Sequence, residues 1–197
     1  MRTPFRSGGG SVDWLVVGLG NPGREYAATR HNLGFRVAEA LLARWDLPRS
    51  RERFLGRIAE GRVDGIRVAV LCPQTYMNDA GRSVGPARGS LKVALERVLV
   101  VHDEIDLPFG QVQTRLGGGL AGNNGLKSIK RELGGDGFMR VRVGVGRPDS
   151  TDPEIVAAYV LSRFAEPEEQ VRALVERACD AVELAATGDP DAKAVAE

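Results

Sequence analysis

Two short runs in this chain are apolar almost without interruption: Trp14-Leu-Val-Val-Gly-Leu and Val98-Leu-Val-Val-His. A strand with one wet face alternates apolar and polar residues, so a run without alternation has to be covered on both faces. These runs are strand-sized, too short for a buried helix and far too short to cross a bilayer as a helix. A sheet built around them needs helices above and below it, which places the chain in the α/β class.

The segments between the runs supply those helices. Phe35, Ala38, Leu41, Leu42 and Trp45 recur at helical spacing, with Asn32 placed as an N-cap and Pro48 as a stop. Residues 126–133 and 167–187 read as amphipathic helices, 81–88 as a shorter one, and 153–164 as a short helix or an irregular segment. Residues 57–61 and 66–72 read as two strands joined through Val63-Asp64-Gly65. Residues 111–116 form a short strand. Residues 138–145 alternate, with Met139, Val141, Val143 and Val145 on the buried side and Arg140 and Arg142 on the wet one. The hairpin interrupts a strict strand–helix alternation. The expected architecture is therefore a single three-layer α/β/α domain with a mixed, mostly parallel central sheet, spanning residues 13–190. Residues 1–12 carry two arginines and Gly8-Gly9-Gly10 without an apolar segment, so they read as a flexible N-terminal extension rather than a secretory signal.

A length of 197 residues suits one domain with a full core. Two cysteines, Cys72 and Cys179, are too few for a disulfide framework and suit a reducing compartment, so a cytoplasmic location is expected. The net charge of +1 says little, but its distribution says more. Residues 111–147 carry seven basic residues against two acidic ones, and residues 148–197 carry four against twelve. A basic middle and an acidic tail steer an anionic partner to one side.

Three polar loops, 21–32, 74–81 and 103–106, each follow a buried strand, and their expected meeting place is the carboxyl edge of the sheet. The first holds Asn21, Arg30, His31 and Asn32. His31 is the side chain there whose ordinary pKa suits proton transfer near neutrality. Two short motifs point elsewhere and lack their contexts. Gly18-Leu-Gly20-Asn-Pro-Gly23 matches a dinucleotide fingerprint, yet no helix opens inside it. Gly81-Arg-Ser83-Val-Gly85 matches a nucleophile elbow, yet no strand precedes the serine. Cys72 in its strand reads as a small buried residue, and the two histidines lack metal-ligand spacing. What remains is His31, Asp103 and the amides of Asn21, Asn32, Asn78, Asn123 and Asn124. That set suits a base acting on water, an acid holding its tautomer, and neutral donors for a developing oxyanion.

Val17-Gly-Leu-Gly-Asn-Pro-Gly-Arg-Glu-Tyr, Thr29-Arg-His-Asn-Leu-Gly, Pro73-Gln-Thr-Tyr-Met-Asn, His102-Asp-Glu-Ile-Asp-Leu-Pro, Gly117-Gly-Gly with Asn124-Gly-Leu-Lys, and Arg140-Val-Arg-Val-Gly-Val-Gly-Arg-Pro follow one another in order. Together they resemble the successive motifs of bacterial peptidyl-tRNA hydrolase. The resemblance implies a monomeric, cofactor-free and metal-free hydrolase that cleaves the ester between a peptide and the 3′-terminal ribose of tRNA, returning the tRNA to use. It implies His31 as the base that activates water, with Asp103 as its partner and Asn21 among the catalytic groups. It implies that Asn78 lines the site, that Asn124 holds water or the peptide backbone, and that Tyr26, Tyr76 and Met77 flank the 3′ end and the peptide. His102 matches a position without an assigned role. Asn123 departs from the family, which commonly has a histidine there; as an amide it donates and accepts but does not titrate near pH 7. The partner implied is the 3′ end and acceptor stem of peptidyl-tRNA, with no membrane. In the basic stretch, Arg115, Lys127, Arg140 and Arg142 are the expected phosphate contacts. The alternative is a non-catalytic RNA-binding protein on the same scaffold, which would not need Asn21, His31, Asn78 and Asp103 together.

Overall fold

A computed structural model describes residues 11–120 and 122–188. Its strands are β1 (Trp14–Gly18), β2 (Arg51–Arg53), β3 (Gly56–Val63), β4 (Ile66–Pro73), β5 (Val98–Glu104), β6 (Val112–Leu116) and β7 (Met139–Gly144). Its helices are α1 (Leu33–Arg44), α2 (Gly81–Leu91), α3 (Asn124–Leu133), α4 (Pro153–Val160) and α5 (Glu168–Thr187).

The strands form one sheet in the order β2-β3-β4-β1-β5-β7-β6. The two uniformly apolar runs lie side by side at its middle and are buried at every position. They pair in parallel, with Leu15 opposite Val98 and Gly18 opposite Val101. β4 and β7 extend the parallel centre on either side, and β3 and β6 run against the direction shared by the rest. Trp14 and Val16 on one face join Leu99, Val101 and the apolar stripes of α1 and α5. Leu15 and Val17 on the other join Val98, Val100 and the stripes of α2 and α3. The three-layer, mixed and mostly parallel architecture is thus present.

One close approach sets the site. A Cβ on Gly34, at the start of α1, would stand 2.4 Å from the Leu19 nitrogen and 2.5 Å from the Val101 oxygen. Only a glycine lets the helix settle so deeply on the ends of β1 and β5. The turn just before it, which carries His31, is thereby brought over the carboxyl end of β5. The far end of α1 is tied to α5 by Arg44, which pairs with Glu176, Asp180 and Glu183.

Several expectations need correction. β2 was unforeseen, because Arg-Glu-Arg has no apolar pattern to read; it is an exposed edge strand paired antiparallel to β3. The hairpin strands run longer than expected, and the chain reverses through Asp64 and Gly65, both at positive φ. Asp103 and Glu104 belong to β5 and not to the loop after it, since each buried carboxylate has a partner there. Asn32 precedes α1 without capping it by its side chain. Val12, read as extension, is buried and its N–H bonds the Leu91 carbonyl at 3.1 Å. Residues 1–10 of the expected extension, and 189–190 of the expected domain, lie outside the described residues. Ser83, of the elbow-like motif, is buried within α2. Cys72 and Cys179 are buried free thiols, and burial pushes both up to about 12. Among the described residues no helix is long and apolar enough to cross a membrane.

Candidate active site

The polar loops meet at the carboxyl edge because β1, β4 and β5 are parallel neighbours. After β1 the chain loops through residues 21–29 and makes one turn of 3-10 helix, Arg30–Asn32, which delivers His31 onto β5. His31 Nδ1 stands 2.9 Å from Asp103 Oδ2. The carboxylate is sealed in, its side chain 2% exposed, while the imidazole keeps 14% of its surface open. Burial of the ring is the largest single influence on its pKa and works against the charge. The charge of Asp103 and its hydrogen bond together outweigh it and hold His31 above the ordinary 6.5. A buried carboxylate accepting from Nδ1–H leaves Nε2 as the basic nitrogen.

Asn21 is built into the same edge from three sides. Its N–H donates to Asn32 Oδ1 and its carbonyl accepts from Asn32 Nδ2, both at 2.9 Å. Its own Oδ1 accepts from the Met77 N–H at 2.7 Å. With the amide oxygen occupied, Asn21 presents its NH2 as the group left to donate. Asn32 thus clamps Asn21 and sits beside His31. The sequence offers no local signal for this, since an asparagine before a helix reads as a cap.

Met77 is buried against the start of α3, where a Cβ on Gly125 would stand 2.5 Å from its sulfur. The turn carrying Met77 and Asn78 packs on α3. Tyr76, Asn78 and Asn124 are exposed and Tyr26 is half-buried. Among the described residues none of these four makes a side-chain hydrogen bond. Asn123 is the N-cap of α3, its Oδ1 accepting from the Leu126 N–H at 3.1 Å, so part of its hydrogen-bonding capacity serves the helix. His102 lies on the opposite face of β5, fully enclosed, with Nδ1 2.7 Å from the Asp103 carbonyl. Burial lowers its pKa, which keeps the ring neutral.

The four basic candidates separate. Arg115 and Lys127 are exposed. Arg142 is half-buried and engaged by Glu104 at 3.0 Å and Gln113 at 2.9 Å. Arg140 is 1% exposed and donates to the carbonyls of Gly117 and Gly119, so it is withdrawn from the phosphate contacts. The alternation of β7 misled here. Both faces of that strand are covered, and the glycine-rich loop supplies a carbonyl acceptor to each terminal nitrogen of the buried guanidinium. Among the described residues no three His, Cys, Asp or Glu side chains gather as a metal site would.

A paired imidazole and carboxylate above the carboxyl edge of a parallel α/β centre place this molecule in a broad class, the α/β enzymes that work from strand-end loops. Comparison with known proteins narrows the class. The family model described as peptidyl-tRNA hydrolase matches residues 15–197. The chain is 49% identical over 171 residues to the peptidyl-tRNA hydrolase of Syntrophotalea carbinolica, covering 86% of this chain and 88% of the relative. It is 46% identical over 174 residues to that of Geobacillus thermodenitrificans, covering 88% and 92%. Among solved structures, the crystal structure of peptidyl-tRNA hydrolase from Acinetobacter baumannii superimposes with a TM-score of 0.81 at 37% identity, covering 91% of each chain. The chain belongs to the peptidyl-tRNA hydrolase family.

Proposed function

We propose that this chain hydrolyses the ester joining a peptide to the 3′-terminal ribose of tRNA, with His31 as the base. The observation that carries the mechanism is the 2.9 Å bond between His31 and Asp103. With Nδ1–H held by the carboxylate, Nε2 takes a proton from a water aimed at the ester carbonyl. The water oxygen bonds to the acyl carbon and the carbonyl becomes an oxyanion. The Asn21 NH2, its oxygen tied to Met77, is the donor already oriented to receive that charge. Collapse breaks the bond to the ribose 3′ oxygen, which takes the proton back from the imidazolium. Asp103 stabilises that imidazolium without being protonated itself. The products are a free peptide acid and a tRNA with its 3′ hydroxyl restored.

Substrate binding falls to groups that the fold leaves uncommitted: Tyr26, Tyr76, Asn78 and Asn124, with Met77 as an apolar wall and the remaining NH2 of Asn123. Exposed Arg115 and Lys127 meet backbone phosphates of the acceptor stem, with Arg142 behind them. Phosphate contacts are blind to sequence, which suits an enzyme that serves many tRNAs. We propose further that the protein acts as a monomer, in the cytoplasm, and without a cofactor. The test is peptide release from a bulk peptidyl-tRNA pool by wild type and His31→Ala. A loss of about 10²- to 10⁴-fold is expected. Equal release by both would remove the mechanism, and release by neither would favour a non-catalytic RNA binder.

A further inference from the structure

We propose that Arg30 is a positioning residue for hydrolysis, the link through which the arm formed by residues 153–166 fixes the direction of the neighbouring His31. The inference rests on His31 being the base. No residue of α4, the helix of this arm, is buried. The arm is held at its far end, and the ties converge on the two residues before the base. Thr29 and Arg163 form an isolated antiparallel bridge. The Arg30 N–H donates to the Ser162 carbonyl at 3.1 Å. Arg30 is 4% exposed, and its guanidinium donates to Ser162 Oγ at 2.7 Å and to the Arg163 carbonyl. It also pairs with Glu166 at 3.4 Å. It lies 4.3 Å from the ring centre of Tyr159 and 5.3 Å from that of Phe164. Both rings are anchored in turn: the Tyr159 hydroxyl donates to the Val145 carbonyl at 2.6 Å, and Phe164 meets Phe109 edge-on.

Arg30 and His31 share one turn of 3-10 helix. Successive side chains in such a turn diverge by about 120°, so Arg30 reaches the arm while His31 reaches Asp103. The turn is therefore held from two sides, by β5 through residue 103 and by the arm through residue 30. Release on one side lets it rotate about the other. A displacement of about 1 Å at a reacting group costs on the order of 10²-fold in rate. The ties ask for a planar fork between aromatic faces, which a lysine does not provide. Of the charged groups on the elements packed here, Asp103 of β5 pairs with His31, Arg30 shares its turn, and Glu166 and Arg163 of the arm engage Arg30 and Thr29; His102 faces the other side of the sheet.

The experiment compares Arg30→Lys, Ser162→Ala and His31→Asn with wild type, measuring kcat, KM, the pH of the ascending kcat/KM limb and the thermal midpoint. Arg30→Lys is expected to lower kcat by about 10- to 100-fold with KM changed less than about twofold. Its limb should move to lower pH as the imidazole loses its alignment with Asp103. Ser162→Ala, which removes one acceptor from the arm and leaves every charge in place, should act in the same direction by less. Wild-type kcat and an unmoved limb in Arg30→Lys would overturn the proposal. So would a drop in thermal midpoint with kcat per folded molecule intact, which is the signature of a purely structural arginine. Undiminished hydrolysis by His31→Asn would instead remove the base assignment itself, a distinct failure.

Discussion

Two sets of polar residues in this molecule are built on opposite plans. Asn21, Arg30, His31 and Asn32 are committed: Asn32 holds the Asn21 backbone, Met77 holds the Asn21 amide, Asp103 holds His31, and Ser162 and Arg163 hold Arg30. Tyr76, Asn78, Asn124, Arg115 and Lys127 face outward instead, without such bonds of their own. The contrast follows the two tasks of a hydrolase with a variable substrate. Groups that move protons and meet a developing charge must be fixed before the reaction, because any reorganisation adds to the barrier. Groups that grip a substrate of changing sequence must keep their donors and acceptors free for whatever arrives.

The largest test of that contrast is chemical. Asp103→Asn should lower kcat by about 10²- to 10⁴-fold, since an amide no longer fixes the imidazole tautomer or balances its charge. Asn124→Ala should act mainly on KM. Steady-state kinetics on peptidyl-tRNA decides, and a kcat loss in Asn124→Ala as deep as that of Asp103→Asn would erase the distinction. Next in size is stability. Asn32→Ala leaves the buried Asn21 N–H and C=O unpaired and should cost about 2–3 kcal/mol in urea unfolding. Tyr76→Ala should stay within about 0.5 kcal/mol, because the residue is already 59% exposed.

A smaller effect divides the arginines. Arg115→Gln and Lys127→Gln should each flatten the log–log dependence of KM on salt by about one, with kcat unchanged. Arg140→Gln should leave that slope alone and lower the unfolding midpoint, since it strands the carbonyls of Gly117 and Gly119. The smallest effect concerns pH. The folded pKa of His31 lies above its unfolded value, so its pairing with Asp103 contributes stability in full below about pH 6.5. That contribution is lost as pH rises through the raised value. The same titration sets the ascending limb of kcat/KM, whose midpoint should lie above 6.5. Urea titrations across this window should show a downward slope in wild type that His31→Asn lacks.

Much of the fold was legible because the informative signals were local. The uniform apolar runs demanded burial on both faces, and β1 and β5 have it. The polar loops after them lie at one edge because parallel strands end together. What could not be read were contacts between distant residues. Arg140 alternates like a solvent-facing residue, and its acceptors lie 21 and 23 positions upstream in a loop whose glycines say nothing of a guanidinium. Asn32 reads as a cap, and its true partner is 11 positions back. Arg30 sits in the most recognisable segment of the chain, yet its partners are more than 130 positions away. Asp103 stays in its strand by pairing with Val143 of β7, a distant partner that no strand propensity foretells.

The two enclosed sulfurs have a practical consequence. At ordinary pH both remain protonated and shielded, so alkylating dyes should pass them by. A thiol introduced at the exposed Leu161 position, beside the Arg30 contacts, would then be labelled alone. Its fluorescence would report on the contact between the arm and Arg30 in otherwise native protein, with neither native cysteine needing replacement.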